Sequence, residues 1–229
     1  MNPAEPEVVP DAARRVFGDT LAAATAFVEL LRVHGAERGL IGPRELDRLW
    51  DRHVLNSAVL AELVPVGARV VDIGSGGGFP GIPLAIARPD LHVTLVEPMA
   101  RRVDWLNEVV QTLGLPNTAI VRGRAEERAV RDMVDGADVV TARAVAPLAK
   151  LAAWCLPLAR PGGVLLALKG MSAQDEVDRD RDALRRLGGG EVRVAYVGAG
   201  VLSEPTTVVS VTKTQATKSG SQKKKRIRR

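Results

Sequence analysis

One twelve-residue stretch limits the folds open to this chain more than any other: Val70-Val71-Asp72-Ile73-Gly74-Ser75-Gly76-Gly77-Gly78-Phe79-Pro80-Gly81. An apolar, β-branched run enters a cluster of glycines, and a helical pattern over Pro80–Arg88 follows at once. A junction of this kind needs glycine where the turn takes positive φ and where a ligand comes close to the backbone. The dinucleotide fingerprint G-x-G-x-x-G would put its third glycine at position 79, which is Phe79, so an NAD-linked dehydrogenase is disfavoured. The pattern is instead D-x-G-x-G-x-G, with a carboxylate two places before the first glycine.

That carboxylate narrows the ligand. A diphosphate is drawn to bare amides at a helix start and repelled by a neighbouring Asp. S-adenosylmethionine carries no phosphate but bears a cationic amino group and a sulfonium, which Asp72 would favour. Glu97 lies twenty-three residues after Gly74 and closes the run His92–Glu97, where a carboxylate accepts both hydroxyls of a ribose. Gly74, Gly76 and Gly78 would leave room for the donor. After Thr118–Val121, the Ala125 amide and the Glu126 carboxylate could bracket an adenine edge, although Glu126 also suits a helix N-terminus. Arg143 follows the fourth strand, at the sheet edge that faces the ligand in such folds.

The rest of the chain supplies the frame. Phe17, Leu21, Ala24, Val28 and Leu31 predict one amphipathic helix ending near Gly35. Leu46, Trp50, His53, Ser57, Leu60 and Val64 predict a second, opened by Pro43 and closed by Pro65. Strands are expected at Arg69–Ile73, His92–Glu97, Thr118–Val121, Asp138–Thr141, Val164–Leu168, Val192–Val197 and Thr206–Thr212. Helices at Pro80–Arg88, Met99–Leu113, Glu126–Val134, Val145–Ala159 and Ala173–Leu187 fill the gaps. Alternation of this kind implies a doubly wound, seven-stranded α/β sheet; taken with the donor reading of the glycine loop, the expected fold is the Rossmann-like S-adenosylmethionine-dependent methyltransferase type. The last two strands lack a helix between them and are expected to pair antiparallel. The organisation is then a disordered N-terminus (1–10), a helical cap (11–66), the Rossmann-like domain (67–212) and a disordered basic tail (213–229).

Charge and cysteine content exclude several classes. Eight basic residues and no acidic ones lie between Lys213 and Arg229, so of a net charge of +5 the rest of the chain carries −3. The basic character therefore belongs to the tail, which can add salt-sensitive phosphate binding to RNA or serve only solubility. A single cysteine, Cys155, excludes a disulfide framework and a multi-cysteine zinc site, and no metal is expected. The longest apolar candidate, Ala142–Ala159, is broken by Arg143 and Lys150 and is no membrane span. The Pro- and acid-rich N-terminus lacks the layout of a secretory signal, so a cytoplasmic location is expected.

Acceptor chemistry leaves fewer marks. Cys155 sits among Ala152, Ala153, Trp154 and Leu156 and reads as a small core residue rather than the thiolate that pyrimidine carbon-5 methylation needs. The stretch Thr141–Pro147 holds nothing like the N-P-P-Y turn of exocyclic-amine methylases. A ring nitrogen with its own lone pair needs only alignment, which is compatible with the absence of an obvious general base.

At this point a resemblance becomes specific. Arg52-His53-Val54-Leu55-Asn56-Ser57, then Val71–Leu84, Arg88-Pro89, Glu97 with Arg101-Arg102-Val103, Arg124-Ala125-Glu126, Arg143-Ala144 and Leu168-Lys169-Gly170 resemble the RsmG (GidB) family in order and spacing, over about residues 45–212. The resemblance implies methyl transfer from S-adenosylmethionine to N7 of a guanine in 16S ribosomal RNA, free or within a small-subunit particle. It also implies that Gly74, Phe79, the Ala125–Glu126 pair and Arg143 contact the donor. The family's W-N…N-L-T segment is missing from Val33–Gly42, so its RNA contact does not carry over; Ser75 stands where Thr is frequent.

On the substrate side the candidates are His53, Arg143 and Lys169. His53, on the inner stripe of the second helix, is expected to bond a guanine or simply the sheet edge. Lys169 ends a strand and could meet a phosphate. Arg101 and Arg102 read mainly as solvated charges. The competing readings are a small-molecule methyltransferase with the same donor site and an inactive RNA-binding assembly factor.

Overall fold

The computed structural model describes residues 8–143 and 146–214. Seven strands form one sheet: β1 (Arg69–Ile73), β2 (His92–Glu97), β3 (Thr118–Arg122), β4 (Ala137–Arg143), β5 (Ala159–Lys169), β6 (Gly189–Val197) and β7 (Thr206–Lys213), in the order β3-β2-β1-β4-β5-β7-β6. The first five run parallel, and β7 inserts antiparallel between β5 and β6. The strand order reverses at β1, with β2 on one side and β4 on the other, so the crevice of a doubly wound sheet opens beyond the carboxyl ends of β1 and β4.

The helices are α1 (Asp11–Phe17), α2 (Leu21–His34), α3 (Asn56–Ala58), α4 (Gly81–Ala87), α5 (Ala100–Leu113), α6 (Arg128–Val134), α7 (Leu148–Cys155) and α8 (Ala173–Arg186). They cover both faces. One apolar cluster joins Phe17, Phe27, Leu31 and Trp50 of the N-terminal segment to Leu84, Leu95 and Trp105, so the cap and one sheet face share a core. The other gathers Val71, Ile73, Val96, Val130, Leu151 and Leu184. Because side chains alternate along a strand, Val70 points to the first cluster while Val71 and Ile73 point to the second. Asp72 shares the parity of Val70 and is thereby turned toward α4 and the cap.

The cap departs from its periodicity. The first expected helix is two, split by a tight turn at Gly18–Thr20 where Gly18 has φ +46°. Its stripe survives the break, with Phe17, Ala24, Val28 and Leu31 all buried. The second is not one α-helix: Pro43–Arg48 is wound as 3-10, Leu49–Leu55 as a π-helix, and Val59–Leu63 again as 3-10 after α3. The wide π turn carries the adjacent pairs Leu49–Trp50 and Val54–Leu55 inward, which a 3.6-residue period cannot anticipate.

Three boundaries are corrected. Lys213, expected to open a disordered tail, ends β7 and donates from Nζ to the Ala159 carbonyl at 2.7 Å; Thr214 then donates from N–H to Gly188 at 2.8 Å. The remaining tail, from 215, lies outside the described residues, as do residues 1–7 of the expected N-terminal extension and Ala144. Helix α6 starts at Arg128 rather than Glu126. The helix after β4 ends at Cys155, because Leu156–Leu158 tightens to 3-10 and β5 begins at Ala159. Among the described residues no helix is long and apolar enough to cross a membrane, and no group of three or more His, Cys, Asp or Glu could hold a metal.

Candidate active site at the carboxyl edge of the sheet

The loop between β1 and α4 makes the floor of the site. Gly74 and Ser75 donate their N–H groups to the Val96 carbonyl at 2.9 and 3.3 Å, which pins the loop's start to β2. Gly78 and Phe79 donate back to the Ser75 carbonyl at 2.7 and 2.9 Å, folding the chain into a tight turn. Gly74, Gly76 and Gly78 have φ of +69°, +55° and +105°, the region only glycine enters without strain. At Gly78 a Cβ would also lie 2.7 Å from Ile82 Cγ1, so that position needs glycine for packing as well.

Two buried carboxylates flank this loop, as expected. Asp72 is fully buried; its Oδ2 accepts the Gly81 N–H at 3.1 Å and its Oδ1 has no hydrogen-bond partner. Burial pushes its pKa up to about 7, helped by the charge of Glu97 and opposed by the nearby Ser75 hydroxyl, the Gly81 N–H and the charge of Arg143. Glu97, 2% exposed, accepts from Gly76 N–H through Oε2 at 3.0 Å and from Met99 N–H through Oε1 at 2.9 Å. The structure thus uses Glu97 to brace the glycine loop against the start of α5. A carboxylate oxygen has a second lone pair, so this bracing leaves acceptor capacity for a diol.

The cleft above the loop has a volume of about 550 Å³ and is lined by Gly74, Gly76, Phe79, Glu97, Arg102 and Arg143, among others. A smaller recess of about 100 Å³ continues from it between Gly74, Pro98, Ala125, Glu126 and Trp154. Ala125 is buried and Glu126 exposed, and both border this recess, so the loop after β3 stands where the sequence places it. The residues fit a phosphate-free, cationic nucleoside. Asp72 is fully buried and lines neither hollow, so its unpartnered Oδ1 can act on a bound cation only at one remove; the slot beside Trp154 and Pro98 suits a flat ring.

Arg143 stands on the wall between this cleft and a second one of about 430 Å³, bordered by Asn56, Leu168, Lys169, Met171 and Thr206. Its guanidinium carbon lies 4.3 Å from the centre of the Phe79 ring, and one of its nitrogens is 3.1 Å from His53 Nδ1. Burial lowers the Arg143 pKa to about 10, against the attraction of Asp72 and Glu45, so it stays charged at neutral pH. The other ring nitrogen of His53 lies 3.1 Å from Glu45 Oε2. Burial and the charges of Arg143 and Arg52 depress the His53 pKa to about 4, with Glu45 opposing. His53 therefore has both nitrogens engaged and stands behind Arg143, leaving neither free for a guanine.

Lys169 borders the second cleft, but its ammonium donates to Glu176 Oε2 and to the Ala146 carbonyl, both at 2.8 Å. It is a partnered strut rather than a free cation. Cys155 is buried, and burial pushes its thiol pKa well above the ordinary range, in keeping with a core role. Sequence reasoning missed Glu45, Leu40, Pro98, Trp154 and the place of Arg102 in the cleft. Leu40 lies in the very segment where the family motif is missing, and its carbonyl sits against Gly77. Only the aromatic Trp154 beside Cys155 offered a signal, and a helical stripe makes that signal ambiguous.

A doubly wound sheet with a glycine loop between two buried carboxylates defines a Rossmann-like methyltransferase. An S-adenosylmethionine-dependent methyltransferase of solved structure from Aquifex aeolicus shares this fold, with a TM-score of 0.53 at 20% identity over 78% of this chain and 97% of that one. The chain belongs to the GidB family, rRNA small subunit methyltransferase G, whose model matches residues 20–203. It is 54% identical to the Ribosomal RNA small subunit methyltransferase G of Corynebacterium efficiens, covering 90% of this chain and 89% of the relative. Against the protein of that name from Mycolicibacterium smegmatis the identity is 53%, covering 96% and 93%.

Proposed function

We propose that this chain transfers the methyl group of S-adenosylmethionine to N7 of a guanine in 16S ribosomal RNA, in the cytoplasm. The observation that carries the reading is the pair of clefts meeting at Arg143, one floored by the glycine loop, the other open to the cap. When bound, the donor supplies an electrophilic methyl on a sulfonium. Gly74 and Gly76 let it lie against the backbone, Gly78 keeps the loop's turn, and Phe79 borders its charged end, with the buried Asp72 acting at one remove. Glu97 accepts from the ribose, Ala125 and Glu126 bracket the adenine, and Arg143 takes the donor's carboxylate.

An acceptor nitrogen with its own lone pair needs no proton removed, so the work is alignment at close range. Arg52, half-exposed beside the second cleft, is paired with Glu45 at 3.2 Å and keeps its remaining guanidinium N–H groups for an RNA phosphate. The basic residues from Lys218 onward, outside the described residues, would add non-specific phosphate contacts.

The test is transfer of labelled methyl from S-adenosylmethionine to RNA from cells lacking this protein, followed by nucleoside analysis. Label in 7-methylguanosine is the expected result. Label in another nucleoside, or only in small metabolites, overturns the reading.

A further inference from the structure

Arg143 is the one side chain, among the described residues, that borders both clefts named above, and it is held by Phe79 of the floor and by His53 of the cap. Stacking on Phe79 at 4.3 Å sets the plane of the guanidinium but not its rotation within that plane. His53 makes the shortest polar contact that sets the rotation, at 3.1 Å, against 3.5 Å for those that the other terminal nitrogen makes to the Arg52 carbonyl and Ser57 Oγ. A guanidinium only donates, so His53 Nδ1, 3.1 Å away, must accept, and the proton of the neutral ring lies on Nε2. Glu45 Oε2 on the far side of the ring, 3.1 Å from Nε2, selects that same tautomer. The imidazole side chain is only 14% exposed. It packs on Phe79 with the ring centres 5.3 Å apart, so it cannot swing away without disturbing the stack. The π-helical winding of Leu49–Leu55 delivers His53 to this spot, and the preceding 3-10 turn delivers Glu45.

We propose that Glu45 and His53 are positioning residues: they fix the rotation of Arg143 in the wall between the clefts and thereby the alignment of donor methyl with acceptor nitrogen. This rests on the reading of the two clefts as donor and acceptor sites. The imidazole moves no proton; it acts as a spacer with one accepting and one donating end. Without the Glu45 acceptor the ring can adopt the other tautomer, which turns an N–H against the Arg143 N–H and pushes the guanidinium aside.

The experiment compares His53→Leu, His53→Asn, Glu45→Leu and Glu45→Gln in the full chain. In His53→Asn the amide oxygen stands near the place of Nδ1 and still accepts from Arg143, while Glu45→Gln keeps an acceptor for Nε2–H. Misalignment near 1 Å costs up to about 100-fold, so kcat for RNA methylation should fall about 10- to 100-fold in the two Leu variants. It should return to within about threefold of wild type in the Asn and Gln variants, at equal melting temperatures. Ring ¹⁵N spectra should show His53 as the Nε2–H tautomer in wild type and as a mixture in Glu45→Leu.

A wild-type Nδ1–H tautomer, unchanged kcat in both Leu variants, or Asn and Gln variants as slow as the Leu ones overturns the proposal while leaving the methylation reading intact. A wild type that methylates no guanine overturns the methylation reading, and this proposal with it.

Discussion

The Asp72 carboxylate and the Gly81 amide, nine residues apart, close the glycine loop: Oδ2 takes the N–H at 3.1 Å while Oδ1 stays buried and unpartnered. The cost of that arrangement depends on pH. With a folded pKa near 7 against an ordinary 3.8, Asp72 keeps its proton in the folded chain where the unfolded chain has lost it. Its contribution is fully present below pH 3.8 and is lost as pH rises through about 7. Asp72→Asn, which retains an acceptor for Gly81 and cannot ionise, escapes that loss. Thermal melts without ligand should show the variant gaining on wild type between pH 5 and pH 8, by at most about 3 kcal/mol. Parallel melting curves across that range would mean the carboxylate is not held in its neutral form.

Replacing Gly81 by Ala should harm the fold more than replacing Gly76, although only Gly76 has positive φ. A Cβ at Gly81 runs into Leu95 and comes within 2.8 Å of Asp72 Oδ2, an overpacking worth about 1–3 kcal/mol. At Gly76 the nearest atoms are 3.7 and 3.8 Å away, one of them Arg102 Nη1 in the cleft, so the penalty is a left-handed strain of about 1–2 kcal/mol. Urea unfolding should rank Gly81→Ala as the less stable. Calorimetry should find weaker S-adenosylmethionine binding in Gly76→Ala, and undiminished affinity there would displace the donor from the loop.

Lys169→Met should act on stability and not on RNA affinity. Lys169 and Glu176, 10% and 15% exposed, pair at 2.8 Å, and removing the lysine leaves Glu176 with the Leu148 N–H at 2.8 Å and Arg179 at 4.0 Å. The loss should be about 1–3 kcal/mol in chemical denaturation, below the cost of a carboxylate left wholly unpaired. If the variant is fully stable and instead shows a shallower salt dependence of RNA binding, Lys169 is a phosphate ligand after all.

Deleting residues 215–229 should leave the fold and S-adenosylmethionine affinity unchanged. RNA affinity should drop and its log–log salt slope flatten by about 0.7 for each phosphate that is no longer neutralised. The cut must spare Lys213 and Thr214, which belong to the β7 edge. Equal slopes for the two forms would reduce the tail to a solubilising segment.

The sheet was legible in the sequence because its cues are local: short β-branched runs, glycine punctuation and the helical stretches between them. β1 and β2 fall on their expected residues, and the missing helix before β7 correctly announced an antiparallel pair. The cap was legible only as a stripe of apolar positions, since nothing in Leu49–Leu55 signals a π turn. In the site, Gly74, Gly76, Phe79, Glu97, Ala125, Glu126 and Arg143 border the two hollows, while Asp72 and Gly78 line neither: Asp72 is fully buried, and a side chain at Gly78 would meet Ile82 and Phe27. What escaped reading was partnership. His53 and Lys169 looked available as ligands, yet each is already bonded by a carboxylate distant in pattern, Glu45 in one case and Glu176 in the other.

Phe79, where a dinucleotide-binding chain would have its third glycine, faces two ways. One side meets Phe27 of α2, with ring centres 5.6 Å apart, and the other carries Arg143 and His53. A single rigid ring thus couples the helical cover to the hollow beneath it. The cover is therefore not an exchangeable cassette: a graft that brought a new RNA-facing helix to this sheet would reshape the donor's seat unless residue 79 were recut with it.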